Sequence, residues 1–353
     1  MKIDQLPTPV LLLEESLFNK NRQTMKNIIA GSKLQLRPHY KSHKCAAIAH
    51  MQMADGAKGM TCAKLDEALD LADSGIEDIL IANQITDPSK IVRGAILADS
   101  CRLTVCMDNE ENIDAWERAA AYVRTRVHCL IEYEIGMRRC GAASEDEVLR
   151  LAEKIASCPH LVFDGIQAYA GHISHMESES ARRSMAAENN RKISSLLARL
   201  SQAGAAFTTV SGGSTGTAAI KAKDSPYTEL QAGSYLFMDA CYARLSLPFE
   251  NSLTLLSTVV SAKNGLTVID AGIKSCGIDQ GMPEPLDFAV CEVSASEEHF
   301  QLSHTGEKRS IGERIRLVPA HCCSTVNLHD RIYVVDGEKV VDRLSVTARG
   351  CFR

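Results

Sequence analysis

Segment 37–44, RPHYKSHK, places a lysine between two histidines at alternate positions, namely His39, Lys41 and His43. In an extended chain alternate side chains point to one face, so this spacing predicts an amine flanked by two imidazoles. A lysine that is partly desolvated and close to other nitrogen bases loses proton affinity, as an amine that attacks a carbonyl group must. A solvated basic turn has the same composition, and spacing alone leaves both interpretations open.

Two glycine-containing segments have the composition of a phosphate-binding site, VSGGSTGT at 210–217 and TELQAGSY at 228–235. Glycines let the backbone approach a ligand closely, hydroxyl residues cap helices, and the free amides at a helix start attract phosphate. A plain glycine-rich turn is the alternative. The second segment supplies Gly233, Ser234 and Tyr235.

A candidate metal pair lies in PAHCCSTVNLHD at 319–330, where His321 and Cys323 are two residues apart. In an extended backbone both side chains face the same way while Cys322 turns aside. An imidazole and a thiolate suit zinc or a related divalent ion. With only two protein ligands the ion keeps positions for water or substrate, which is typical of a catalytic metal. Taken alone, the segment fits a buried thiol beside an ordinary histidine better than a metal site.

The composition excludes several classes of protein. The 353 residues are 45% hydrophobic and 24% charged, with a formal net charge of −5 and neither sign collected into blocks, so we expect a globular chain with no nucleic-acid partner. No apolar run approaches the roughly 20 residues that cross a bilayer, so no membrane role is expected. The 13 cysteines are odd in number and scattered, and MKIDQLPTP lacks the features of a secretion signal, so we expect reduced thiols in the cytoplasm.

Short β-rich segments alternate with amphipathic helical segments over the first two thirds of the chain, and the clearest helical pattern spans 180–203. Eight such strands favour a closed parallel (β/α)8 barrel over an open doubly wound sheet. The predicted strands are 34–40, 58–63, 78–84, 103–107, 127–134, 163–171, 207–213 and 228–235.

Beyond about residue 245 strands follow one another without long helices, which predicts a smaller, mostly β domain. We therefore expect a barrel at 10–242 and a C-terminal β domain at 243–353, to which residues 1–9 add. The loops that follow barrel strands meet at one mouth, and those after the seventh and eighth strands commonly bind phosphate. This position favours the phosphate interpretation of 210–217.

Taken in order, these segments resemble the fold-type III pyridoxal-phosphate enzymes of the D-threonine aldolase and D-serine dehydratase group, whose barrel is like that of alanine racemase. The resemblance covers nearly the whole chain. It rests on LPTPVLLLEESL (6–17), RPHYKSHK, GMRRCG (136–141), GIQAYAGHISH (165–175), VSGGSTGT, ELQAGSYLFMDACY (229–242), SEEHF (296–300) and PAHCCSTVNLHD.

The resemblance implies pyridoxal 5'-phosphate bound covalently to Lys41, a divalent metal on His321 and Cys323, and a C-terminal β domain that often reaches a partner subunit's barrel in a homodimer. Zinc is the metal that we expect, with manganese as the alternative. The other residues that it implies for cofactor binding are His39, Arg139, Gln167, Tyr169, Gly212, Gly213, Ser214, Gly233, Ser234 and Tyr235.

The resemblance also implies a lyase that acts on D-3-hydroxy amino acids. Lys41 would take the Cα proton in a dehydratase, and His172 or His175 would bind the substrate carboxylate or act as a base. Aldolases of the group tend to carry His-x-Asp at the metal pair and dehydratases His-x-Cys, so the sequence favours dehydration by a small margin. D-threonine or 3-hydroxy-D-aspartate aldolase, an alanine-type racemase and a non-catalytic pyridoxal-phosphate-binding protein are the alternatives.

Overall fold

The computed structural model describes residues 1–286, 288–306 and 308–353. Numbered along the chain, the strands are β1 (Val10–Glu14), β2 (Gln35–Leu36), β3 (Met60–Cys62), β4 (Asp78–Ile81), β5 (Arg102–Met107), β6 (Val127–Glu132), β7 (Leu161–Ala168), β8 (Thr209–Gly212), β9 (Glu229–Leu230), β10 (Leu253–Lys263), β11 (Leu266–Ile269), β12 (Glu284–Pro285), β13 (Glu292–Ala295), β14 (Phe300–Ser303), β15 (Arg314–Val318), β16 (Arg331–Asp336) and β17 (Lys339–Ser345).

The helices are α1 (Glu15–Ile29), α2 (Ala46–Ala54), α3 (Leu65–Asp73), α4 (Pro88–Ser100), α5 (Glu110–Val123), α6 (Glu145–Ala156), α7 (Glu179–Gln202), α8 (Ala218–Lys223), α9 (Ala240–Ala243) and α10 (Cys322–Val326). Short 3-10 turns occur at Ile3–Gln5, Tyr40–Ser42, Gly171–Ile173, Thr215–Thr217 and Ser234–Leu236. In the part of the chain just defined, no helix has both the length and the apolar character of a membrane span.

The chain divides into two compact units. The barrel unit comprises Lys26–Lys41, Ile48–Gly233 and Cys351–Arg353, and the β unit comprises Met1–Met25, Ser42–Ala47 and Ser234–Gly350. None of the 13 cysteines, all of which the structure describes, forms a disulfide.

Eight parallel strands form the sheet of the barrel unit in the order β2, β9, β8, β7, β6, β5, β4, β3. Its two edges are joined by backbone hydrogen bonds, from Lys58 N to Leu36 O at 2.9 Å and from Thr61 N to Pro38 O at 2.8 Å. The prediction of an eight-stranded parallel barrel is therefore confirmed. Its central strands are apolar on both faces, with Leu80, Cys106 and Leu130 in one buried cluster, as expected of a sheet covered by helices.

Side-chain caps fix where the barrel helices begin. Ser144 accepts a hydrogen bond from Glu147 N at 3.2 Å, and Ser178 accepts one from Ala181 N at 3.3 Å. Asp87 caps α4, whose first residue is a proline that has no amide hydrogen to satisfy. These caps orient each helix so that its apolar face covers the sheet and the preceding loop lies at the end of a strand.

A cluster of ion pairs lies at the N-terminal ends of the barrel strands. Arg37 contacts Glu229 through Nε at 2.8 Å and Asp78 through Nη1 at 2.8 Å, and Lys58 contacts Glu229 at 2.6 Å. Arg37 and Glu229 are only 3% and 1% exposed. These contacts tie together the starts of β4 and β9 with the segment that follows β2.

The β unit is built on a nine-stranded sheet in which β10 pairs with β1, β11 and β15. Strand β1 is antiparallel to β10, with Val10 opposite Leu256, and parallel to β16, with Leu11 opposite Ile332. The expected barrel boundary of 10–242 therefore places β1 in the wrong unit, because its partners are strands of the C-terminal half. A local sequence pattern does not contain that long-range pairing.

The core of the β unit combines the start of the chain with its C-terminal half. The buried residues of this cluster are Ile3, Leu6, Val10, Leu12, Leu256 and Val335. Burial of this apolar surface stabilises the sheet without a covalent link.

Candidate functional site

A cavity of about 210 Å³ lies at the C-terminal ends of the barrel strands. Its lining comes from the segments that follow six of the eight strands and from the end of β7. A parallel barrel gathers side chains for chemistry at this end. The lining residues are His39, Lys41, Ala63, Ala82, Asn83, Arg139, Gln167, Tyr169 and Gln231. Five residues that the sequence analysis singles out, from different parts of the chain, thus surround one cavity.

Lys41 lies on the 3-10 turn Tyr40–Ser42, so the predicted extended backbone with His39, Lys41 and His43 on one face is wrong. The turn is held by a hydrogen bond from the Tyr40 hydroxyl to Asp70, and His39 Nδ1 accepts from Lys41 N at 3.4 Å. The Lys41 ammonium lies 6.0 Å from the centroid of the Tyr169 ring. The turn thereby keeps this amine at the cavity.

The guanidinium of Arg139 also lies over the ring of Tyr169, with its Cζ 5.7 Å from the ring centroid. Arg139 is 3.7 Å from the carboxylate of Glu132, which accepts a hydrogen bond from Gln84 at 2.6 Å. Burial raises the pKa of Glu132, and this effect outweighs the lowering by Gln84 and Arg139. The aromatic ring is thus placed between two cations, a site that attracts an anionic, planar ligand.

Gln167 has a fixed orientation in the wall of the cavity. Gln231 Nε2 donates to Gln167 Oε1 and to Ser211 Oγ, both at 2.9 Å. Gln167 in turn hydrogen-bonds Glu132. This chain of contacts joins the ends of β6, β7, β8 and β9 into one polar layer.

The glycine loop after β8 brings its backbone close to neighbouring groups. A Cβ at Gly212 would lie 2.4 Å from Ala168 O, and Gly213 has φ of +79°, which an L side chain rarely adopts. Ser214 Oγ accepts from Ser174 Oγ at 2.8 Å. Among the described residues, the buried Thr215 Oγ1 and Lys221 Nζ have no hydrogen-bond partner. The loop therefore combines close backbone approach with unsatisfied polar groups, as a phosphate site requires.

The second predicted phosphate segment divides between the two units after Gly233. In the β unit, Ser234 Oγ lies 3.7 Å from Cys323 Sγ. Tyr235 is 1% exposed and packs against Phe249 with ring centroids 5.9 Å apart. Tyr235 thus has a structural contact in addition to its predicted role.

His172 and His175 lie in the loop that follows β7, on and just after the turn Gly171–Ile173, and both are exposed. His172 N donates to Met137 Sδ at 3.2 Å, and a Cβ added at Gly136 would lie 2.7 Å from the His172 ring. Neither histidine is among the residues that line the cavity in the described part of the chain.

In the β unit, His321 and Cys323 are brought together by the start of a helix and not by the extended backbone that we predicted. His321 is the residue before α10, and its side chain hydrogen-bonds Cys323. Cys323 Sγ also donates to Ser42 Oγ at 3.2 Å, whereas Cys322 is buried. The two candidate ligands therefore converge, and the buried Cys322 thiol lies 4.0 Å from that of Cys323.

Asp279 orients His321 through a contact of 2.6 Å between Oδ2 and Nδ1. The other oxygen of Asp279 accepts from Ser324 Oγ at 2.5 Å. Burial lowers the pKa of His321, but the hydrogen bonds and charges of Cys323 and Asp279 outweigh it and raise the value to about 9. No group of three or more His, Cys, Asp or Glu side chains suited to a metal occurs among residues 1–286, 288–306 and 308–353.

Sequence reasoning missed several polar residues that complete these sites. Asp279 precedes His321 by 42 residues, and no local motif contains both. Lys221 belongs to α8 and lacks a partner only because of the tertiary packing around it. The residues in this group are Glu132, Thr215, Lys221, Gln231 and Asp279.

Comparisons with known proteins agree with this geometry. The family model "Alanine racemase, N-terminal domain" matches residues 15–241, and a serine dehydratase domain model matches residues 252–335. The chain is 35% identical to a D-threonine aldolase of Arthrobacter sp. and 33% identical to a 3-hydroxy-D-aspartate aldolase of Paracoccus denitrificans, in each case over 99% of this chain and 94% of the relative.

Solved structures give the same result. A D-threonine aldolase from Filomicrobium marinum has a TM-score of 0.97 at 36% identity, and the match covers 100% of this chain and 98% of that one. A D-threo-3-hydroxyaspartate dehydratase from Delftia sp. has a TM-score of 0.89 at 22% identity, with 98% of both chains covered. The latter likeness is one of fold.

Proposed function

Because the chain belongs to the pyridoxal-phosphate-dependent lyases with an alanine racemase N-terminal domain, we propose that it cleaves D-3-hydroxy amino acids by a retro-aldol reaction. One observation carries the choice of reaction. The two aldolases are 35% and 33% identical to it over 99% of the chain, whereas a 3-hydroxyaspartate dehydratase and a D-serine dehydratase are 26% and 25% identical. The comparisons thus favour retro-aldol cleavage, whereas the sequence alone favoured dehydration by a small margin.

The barrel cavity fits pyridoxal phosphate in three respects. Its volume of about 210 Å³ suits a single substituted ring, and Lys41 supplies an amine beside the aromatic face of Tyr169. The described residues that line the cavity do not include the glycine loop after β8, but this loop follows a neighbouring strand end and carries the buried, unsatisfied hydroxyl of Thr215. Lys41 would hold the cofactor covalently, and the loop at 212–215 would hold its phosphate.

The pair His321 and Cys323 fits a divalent ion. An imidazole and a thiol in contact with each other offer two ligands, and Asp279 fixes the imidazole through Nδ1. A soft thiolate ligand favours zinc. Two protein ligands leave coordination positions for water and substrate, which suits a catalytic role.

When bound, the cofactor withdraws electrons from Cα of the substrate and the ion polarises the β-oxygen. Cleavage then breaks the Cα–Cβ bond, the β-hydroxyl loses its proton, and Cα gains one, so that the products are glycine and an aldehyde. In the barrel, Arg139 and Tyr169 would orient the ring, and Gln167 is held in place by Gln231. We keep His172 and His175 as candidate bases for the β-hydroxyl proton.

Dehydration is the second candidate, and one observation favours it. Cys323 provides a thiol in the metal pair, as the sequence analysis associates with dehydratases. In that reaction Lys41 would remove the Cα proton and the hydroxyl would leave as water. Hydrolysis of the resulting enamine would then give a keto acid and ammonia.

Product analysis separates these reactions. The purified protein, loaded with pyridoxal phosphate, is incubated with D-threonine, D-serine and D-3-hydroxyaspartate, with and without zinc or manganese. Glycine with an aldehyde supports the proposal, whereas a keto acid with ammonia supports dehydration. Formation of the L-enantiomer without any need for metal indicates a racemase, and cofactor binding without products indicates a non-catalytic binding protein.

A matched series assigns the metal. Treatment with a chelator should abolish turnover, and zinc or manganese should restore it. His321→Ala should lose the metal response while it keeps the visible absorbance of bound pyridoxal phosphate. If turnover survives the chelator, the metal part of the proposal is wrong.

A further inference from the structure

A buried lysine lies directly beneath the glycine loop that follows β8. Lys221, on α8, is 2% exposed, and a Cβ added at Gly213 would lie 2.8 Å from its Cδ and 3.2 Å from its Cε. Its ammonium lies 3.4 Å from the centroid of the Tyr227 ring. No hydrogen-bond acceptor among the described residues reaches this ammonium.

Tyr227 completes the floor of the loop. Its hydroxyl donates to Ala168 O at 2.7 Å, and its ring edge would lie 2.7 Å from a Cβ added at Gly212. The ring face attracts a cation but offers it no charge of opposite sign. Lys221 and Tyr227 thus support the two glycines from below, and the positive charge stays uncompensated.

A buried ammonium without a counter-charge is unfavourable, so such an amine loses proton affinity unless an anion is bound nearby. Burial lowers the pKa of Lys221 to about 7, so proton binding by this amine is weak in the chain by itself. Lys223, two residues further along the same helix, is exposed. An apolar side chain at 221 would fill the same space without this penalty.

We propose that Lys221 is a positioning residue for a phosphate group bound by the loop at 212–215, on which its buried positive charge acts through the backbone of Gly212 and Gly213. The inference rests on the cofactor site proposed above and adds a residue to it. A phosphate dianion above the loop offsets the buried cation below it. The unsatisfied hydroxyl of Thr215, in the same loop, is a second group suited to the same anion.

The test compares two ligands that differ only in the phosphate. The full-length apoprotein is titrated with pyridoxal phosphate and with pyridoxal, as wild type, Lys221→Met and Lys223→Met. We expect Lys221→Met to weaken binding of pyridoxal phosphate about 10- to 100-fold, since one charge-charge interaction is lost in a poorly solvated site. Binding of pyridoxal should not change, and Lys223→Met, the matched loss of an exposed charge, should affect neither ligand.

Each other outcome decides against the inference. Equal losses for both ligands, or no loss for either, overturn it, since the phosphate then has no special relation to Lys221. The Lys221→Met apoprotein should melt at the same or a higher temperature, with Lys221→Gln as a second variant. If neither variant folds, the amine is structural and the inference is overturned. A wild type that binds neither ligand rejects the proposed cofactor site itself.

Discussion

At the N-terminal ends of the barrel strands Arg37 and Glu229 are buried against each other, whereas at the C-terminal ends Lys41 and Lys221 have no carboxylate partner among the described residues. The first arrangement compensates buried charge within the protein. The second leaves cations for a ligand to compensate. The comparison suggests that in this barrel paired buried charges hold strands together and unpaired ones mark the binding site.

The largest expected effect is on turnover, at the C-terminal ends of the barrel strands, where the described residues give the lysines no carboxylate partner. Lys41→Ala should lower turnover of D-threonine by about 10³-fold or more, because it removes the amine that we propose as the covalent attachment point of the cofactor. Lys41→Arg keeps the charge without that amine and should be equally inactive. Glycine formation measures turnover, and urea unfolding of the apoproteins should show a change below about 1 kcal/mol. A loss of stability well above this value would show that Lys41, like Arg37 and Glu229, stabilises the fold.

At the paired end the effect should fall on stability. Glu229→Gln leaves Arg37 and Lys58 near each other without their carboxylate, so the free energy of unfolding should fall by about 3–5 kcal/mol. Turnover per folded molecule should not change. Glu250→Gln is the control, because Glu250 pairs with Lys20 at the surface and its loss should cost less than about 1 kcal/mol.

The pH dependence of this effect has a definite sign. Burial raises the pKa of Glu229, but the charges and hydrogen bonds of Arg37 and Lys58 outweigh it and hold the value below the ordinary 4.5. The stabilisation is thus present above pH 4.5 and is lost as the pH falls through the lower, folded-state value. Wild type and Glu229→Gln should therefore converge in stability only in strong acid. A difference that stays constant with pH would contradict the ion-pair explanation.

In the β unit, Asp279 is paired, but its partner His321 is a proposed metal ligand. This pair therefore tests whether a paired charge can also serve the site. Asp279→Asn should weaken zinc binding about 10- to 100-fold, because a carboxylate on the second ring nitrogen fixes the tautomer and orientation of a ligating histidine. Competition with a coloured chelator measures the affinity. Ser324→Ala, which removes the contacts of this hydroxyl to Asp279 and to the carbonyl of His321, should lose less. Unchanged zinc affinity with lowered stability would make Asp279 a structural partner.

The smallest effect concerns Glu132, a buried carboxylate near the cavity. Burial raises its pKa above the ordinary 4.5, so its contribution to stability is present when it is protonated and is lost as the pH rises through the raised value. Glu132→Gln, which cannot ionise, should therefore gain stability relative to wild type between pH 4.5 and pH 7. Urea unfolding at both pH values tests the sign. If Glu132→Gln instead loses stability as the pH rises, Glu132 stabilises the fold as a charged group, as Glu229 does.

Residues at strand ends were predictable because the alternation of strands and helices fixes where a barrel mouth lies. His39, Lys41, Arg139, Gln167 and Tyr169 line one cavity for that reason. The backbone around Lys41 was not predictable, since its turn depends on the contact between Tyr40 and Asp70, 30 residues apart.

Groups that matter through tertiary packing also escaped sequence reasoning. An aspartate 42 residues before His321 and a lysine over the ring of Tyr227 carry no local signal. The assignment of β1 failed because its pairing with β10 joins distant parts of the chain. The homodimer and the cytoplasmic location stay predictions.

The pairing of β1 has a consequence during synthesis. Leu13 lies opposite Leu253, about 240 residues later, so the first strand leaves the ribosome long before its partner exists. At about 5–20 residues per second the delay is roughly 10–50 s. Throughout that time an apolar strand with open hydrogen-bonding edges is exposed to other nascent chains. Slower translation or loss of chaperones should therefore reduce the yield of this protein through aggregation of its earliest segment.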